Sequence, residues 1–145
     1  VFRRLFALSF LVVLLATGCG GGGGGSSSST VQTVSRTISL ATSPTLDDGS
    51  PYAEVSFLCQ RSGPVTVKAS SSNLDPMVLI EKNNPDGTQE AVAADDDGAG
   101  GTSARVAFEA SAGSTYKALV ASAGDDADGT VIVEYPSDRL TVVVP

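Results

Sequence analysis

The chain has 145 residues, enough for one small domain, and carries 16 acidic against 9 basic residues for a net charge of −7. That balance repels phosphate backbones and excludes nucleic acid as a partner class. Histidine is absent, so Ser-His-Asp triads, imidazole acid–base chemistry and histidine-ligated metals are excluded.

Residues 1–18 read as an export leader. Arg3 and Arg4 form a positive start, and the apolar run 5–16 follows, interrupted only by Ser9. At 12 residues this signal helix is shorter than the roughly 20 that span a bilayer. Ala16-Thr17-Gly18-Cys19 resembles the lipobox of bacterial lipoproteins. It departs from that pattern at Ala16, where the family most often has Leu. The resemblance implies cleavage before Cys19, acylation of Cys19 and lasting attachment to the membrane, for which about two acyl chains suffice. Gly20 after the cysteine resembles the sorting signal of cargo sent to the outer membrane. A second reading is an ordinary secretory leader cut nearby, which leaves Cys19 as a thiol.

Residues 19–30 join the lipidated cysteine to a Gly/Ser tether, Gly20 to Gly25 and then Ser26 to Ser29. With no side chains able to build a core, it is expected to be a disordered coil spanning roughly 16–19 Å. Removal of Arg3 and Arg4 with the leader shifts the mature chain to a net charge of −9.

Residues 31–145 read as one β-sandwich domain. Helical periodicity is absent, and short alternating runs fall near 31–40, 52–59, 65–70, 77–82, 89–94, 104–110, 115–122, 130–135 and 140–144. Turn clusters rich in Gly, Pro, Asn and Asp separate them. Eight or nine antiparallel strands at this spacing predict an all-β sandwich. Val65, Val67 and Ala69 fall on one face, and so do Val106 with Phe108 and Val131 with Val133 and Tyr135. Residues 77–80 are apolar on both faces. That fits a strand covered on both sides, or one edge of a patch.

Several segments resemble bacterial pre-peptidase C-terminal domains. They are Ser71-Ser72-Asn73-Leu74-Asp75-Pro76-Met77-Val78-Leu79-Ile80, Ala94-Asp95-Asp96-Asp97-Gly98, Ala112-Gly113-Ser114-Thr115-Tyr116-Lys117 and Gly129-Thr130-Val131-Ile132-Val133-Glu134-Tyr135. The resemblance covers roughly 31–135. It implies a jelly-roll-like sandwich, similar to the collagen-binding modules of clostridial collagenases. No protease precedes the module in this chain.

Few residues carry chemistry. Cys59 shares a strand face with Ala53, Val55 and Phe57 and reads as a small core hydrophobe. Ser114-Thr115-Tyr116-Lys117 matches a Ser-x-x-Lys pattern, but on a strand positions i and i+3 point to opposite faces. Two acidic clusters, Asp95, Asp96, Asp97 and Asp125, Asp126, Asp128, suit Ca²⁺, which takes oxygen ligands. A solvated acidic turn that keeps the edge soluble is the simpler reading, and neither fits an EF-hand. Tyr52 and Tyr116 are candidate platforms for a sugar or peptide, and core or rim packing is the alternative.

The expectation is therefore a non-enzymatic module, exported and lipid-anchored, probing an envelope or extracellular protein or polysaccharide from the outer membrane. Two alternatives are a calcium-stabilised spacer subunit of a secreted protease or envelope complex, and a hydrolase using carboxylates alone.

Overall fold

A computed structural model describes residues 30–96, 103–122 and 128–143. Nine strands follow in order: β1 (Val31–Ile38), β2 (Tyr52–Cys59), β3 (Gly63–Ser71), β4 (Pro76–Asn83), β5 (Gln89–Asp95), β6 (Ser103–Ala110), β7 (Thr115–Ser122), β8 (Gly129–Pro136) and β9 (Leu140–Val143). The alternation anticipates these bounds closely, with two informative differences. β1 stops at Ile38 rather than at 40, because Ser39 turns the chain. The Ser39 carbonyl accepts from the Thr42 and Ser43 amides, and the Ser39 amide donates to Ser43 Oγ. β3 starts earlier and takes in Pro64. Proline is tolerated there because it sits at the start of the strand, opposite Glu109 of β6 and beyond the Lys68–Ser71 stretch that β8 lines.

The strands form two antiparallel sheets, β1-β8-β3-β6 and β5-β4-β7-β2-β9, the sandwich that the alternation implies. Only the β4–β5 connection stays within one sheet; every other connection crosses to the opposite one.

The core lies where the inner faces meet. Ala53, Val55, Phe57 and Cys59 of β2, Val78 and Ile80 of β4, and Tyr116, Ala118 and Val120 of β7 face Val65 and Val67 of β3, Val106 of β6, and Val131 and Val133 of β8. Each fully buried aliphatic or aromatic side chain contributes about 1.5–3 kcal/mol of transfer free energy. Two tilted aromatic pairs tie the sheets together. Phe57 of β2 meets Tyr135 of β8, and Phe108 of β6 meets Tyr116 of β7, both at 5.1 Å between ring centroids.

The β4–β5 hairpin follows from Asn84-Pro85-Asp86-Gly87-Thr88. The Gly87 amide donates to Asn84 O, and Gly87 takes φ 84°, a conformation open to glycine. Asp86 Oδ1 accepts from both the amide and the hydroxyl of Thr88, and these bonds lower its pKa below the ordinary carboxylate value. Further along, Ile80 pairs with Ala93 and Glu81 with Ala91. The extra residue, Val92, forms a bulge that lets both Val92 and Ala93 pack on the core.

Each open corner of the sandwich is bridged by a charged side chain. Arg36 of β1 donates from Nε to Glu54 O of β2 at 3.2 Å. Across the molecule, Asp95 Oδ2 of β5 accepts from the Arg105 amide of β6 at 2.9 Å. Both bonds run from one sheet to a backbone group of the other. They occupy edge groups that would otherwise be free to recruit another strand.

Candidate functional site

Strand direction assigns every loop to one of two ends. β1 begins beside Pro136, so the chain enters the domain next to the β8–β9 turn, where Thr30 O accepts from both the amide and the hydroxyl of Ser137. The β2–β3, β4–β5 and β6–β7 turns share this tether end. The opposite end gathers the β1–β2, β3–β4, β5–β6 and β7–β8 connections.

That far end is acidic. Asp47 and Asp48 lie in the β1–β2 connection, Asp75 precedes β4, Asp95 and Asp96 close β5, and Asp128 precedes β8. The topology thus puts Asp95 and Asp96 at the same pole as Asp128, although they are about thirty residues apart in sequence. Asp97, Asp125 and Asp126 lie outside the described residues, as does Cys19.

Two of the candidate metal ligands have structural work in the folded chain. Asp95 bridges to β6, as described above. Asp128 Oδ1 accepts from the Leu40 amide at 2.6 Å, and its carbonyl accepts from Asn73 Nδ2 at 3.0 Å. It therefore pins the β1–β2 and β3–β4 connections to the start of β8. Ser71 Oγ continues the network by donating to Thr130 O. Asp48 Oδ1 accepts from the Ser50 amide two residues on, a local turn contact. Among the described residues, no three His, Cys, Asp or Glu side chains are grouped closely enough to hold a metal ion. Asp95→Ala is expected to cost about 1 kcal/mol, the typical net value of an intramolecular hydrogen bond. The loss should be equal in EDTA and in excess Ca²⁺, as read from thermal unfolding midpoints.

The two candidate tyrosines part company. Tyr52 begins β2 and is half-buried, with its ring on the outer face. Tyr116 is only 1% exposed and offers no ring face to a ligand, so its candidacy as a platform is corrected. It points inward with Ala118 and Val120, packs at a tilt against Phe108, and its hydroxyl accepts from the Ser111 amide at 2.9 Å. A tyrosine can be buried at this price-free position because its one polar atom has a partner. Cys59 is buried at 1% exposure, as its strand face requires, and its thiol contacts Arg61 O at 3.2 Å.

The tether end also holds an open cleft whose lining includes Lys82, Asn83, Asn84 and Ser114. These are hydrogen-bonding groups and one cation, and they lie between the β4–β5 and β6–β7 turns. Sequence reasoning missed Arg36, Asn73 and Leu40 as partners of the corner and loop contacts. Their bonds join residues 18, 55 and 88 positions apart, which no local pattern encodes. A comparison with known proteins finds no matching family model and no matching curated protein.

Proposed function

We propose that this chain is a lipid-anchored, non-catalytic binding or adhesion module of the bacterial cell envelope, held by an acylated Cys19 and related to pre-peptidase C-terminal domains. The observation that carries the reading is the polarity of the sandwich. The segment leading from Cys19 joins the domain beside Ser137, while the acidic loops lie at the opposite end. A domain held by its tether end directs four connections away from the bilayer, toward an envelope or extracellular protein or polysaccharide. The two-sheet antiparallel fold is compatible with a binding role, because rigid scaffolds carry their recognition surfaces on such loop clusters.

The test uses the full chain in a bacterial host fed radiolabelled palmitate. Wild-type protein is expected to take up label and sediment with membranes. Cys19→Ser should lose the label, since the thiol that takes the acyl chain is gone. A wild type that takes up no label, or a Cys19→Ser variant that takes up as much, rules out the anchor. Co-sedimentation with purified cell-wall sacculi or with outer-membrane fragments then tests the binding role, and failure with both leaves a spacer.

A further inference from the structure

A bare sheet edge is a row of unpaired amides and carbonyls, and proteins guard such rows with charges, bulges or very short strands. Three edges of this sandwich are guarded. β5 carries the Val92 bulge and the charges of Glu90 and Asp95. At β6, Asp95 Oδ2 takes the Arg105 amide, and Arg105 and Glu109 add charge. β9 is only 4 residues long. The first half of β1 has none of these devices. The Thr30 carbonyl accepts from the Ser137 amide, so the even-numbered residues of β1 bond toward β8. The odd-numbered ones, Val31, Thr33, Ser35 and Thr37, turn their backbone groups to the open side. Their side chains are exposed and uncharged, and none is proline.

On this side the larger sheet is wider than the smaller one by a strand. β6 packs over β4 and β5, and β1 packs over β2. β9 is next outward from β2, so it runs past the edge of β1 as a shelf. Leu140 of β9 is buried, but Val142, on the same inner face, is partly exposed. Val142 pairs with Phe57, Phe57 meets Tyr135, and Tyr135 pairs with Gln32. The shelf therefore lies level with the first half of β1. Arg36 marks the other limit. Its guanidinium curls round the edge, donating from Nε to Glu54 O and from Nη1 to Ser35 O. Among the described residues no carboxylate pairs with it. The result is a slot one strand wide, from Val31 to Arg36.

We propose that this slot takes an extended segment of a partner protein, which adds to β1 as an antiparallel fifth strand of the smaller sheet. The main chain of the segment bonds to Val31, Thr33 and the Ser35 amide. Its residues opposite Gln32 and Val34 face inward over β9 and are apolar. Its residue opposite Arg36 faces the same way and is an aspartate or glutamate, which supplies the guanidinium with a carboxylate. Same-face positions recur every second residue, so the segment reads acid-x-apolar-x-apolar. Strand addition of this kind draws affinity from main-chain bonds and selectivity from the alternate side chains. A second copy of the sandwich does not fit, because its own β2 would lie beneath its β1, where β9 already runs. The proposal deepens the binding-module reading by naming a partner class, and it leaves the acidic loops out of the contact.

The test is an NMR titration of the isotope-labelled full chain with the capped peptide acetyl-Thr-Asp-Thr-Val-Thr-Val-Thr-amide. Saturable shifts are expected at the Val31, Thr33 and Ser35 amides and at the Val142 methyls. A peptide with Lys in place of Asp should bind roughly tenfold or more weakly, because it sets a cation against Arg36. Arg36→Gln should erase that difference between the two peptides. Thr33→Pro removes an outward amide and leaves the bonds to β8 in place. It should abolish binding while circular dichroism shows the sandwich retained; if that variant does not fold, the pair of peptides decides alone. Absence of saturable shifts along β1 overturns the proposal. So do shifts confined to the acidic loops, equal binding of the Asp and Lys peptides, or undiminished binding by a folded Thr33→Pro. Palmitate labelling at Cys19 reads the anchor independently of all of these outcomes, so the two readings stand or fall separately.

Discussion

Truncation of Tyr116 to alanine is expected to destabilise the domain by about 3–5 kcal/mol, the range for removing a large buried aromatic. Three losses combine. The ring is 1% exposed, so its full transfer free energy disappears. Phe108 loses its tilted partner at 5.1 Å, worth about 0.5–1.5 kcal/mol beyond burial. The Ser111 amide loses its acceptor, and that amide begins the turn leading into β7. A domain of this size has roughly 5–15 kcal/mol in total, so the variant should be partly unfolded at physiological temperature. Tyr116→Phe separates the contributions. It keeps the ring and removes only the hydroxyl, and should cost about 1 kcal/mol. Urea unfolding of the two variants measures the difference. Equal costs would mean that the ring contributes little, contrary to its burial.

Gly129→Ala is expected to cost about 1–3 kcal/mol through overpacking. A β-carbon at Gly129 would lie 2.6 Å from Leu74 Cγ and 2.8 Å from Asn73 Nδ2. Leu74 is 3% exposed and has little room to withdraw. Asn73 is held by its bond to Asp128 O. The added methyl therefore strains the β3–β4 connection and the start of β8 together. Hydrogen exchange should show the loss concentrated at the acidic end, with the aromatic pairs at the tether end protected as before. Uniform loss of protection would show instead that the two ends open as one unit.

The fold was legible where period-two alternation speaks directly. Val65, Val67 and Ala69, or Val131 and Val133, declare their faces, and all are buried. Sheet order was not legible, because β1 pairs with β8 and β3 with both β6 and β8, pairings that depend on packing between distant segments. The tyrosines show the same limit. Alternation sets Tyr116 in line with Ala118 and Val120, but a hydroxyl on an inner face is tolerated only if a donor or acceptor waits for it. Ser111 supplies that partner from the preceding turn. The aspartates were read as a cluster because they are adjacent in sequence. Their partners, the Arg105 and Leu40 amides, come from other strands and connections, and chemistry that depends on such neighbours cannot be read from adjacency.

The crossing connections have a consequence for how the chain reaches this state. β1 precedes the other described strands, yet among the described residues it pairs only with β8, and Thr30 finds Ser137 across 107 residues. Apart from the β4–β5 hairpin, no strand can pair with the one that follows it. Topologies dominated by distant pairings fold slowly, on the scale of milliseconds to seconds. A chain delivered amino-terminus first must therefore keep β1 unpaired until β8 has emerged. During that interval Val31–Ile38 is an unpaired strand with only one charge, open to association with other chains.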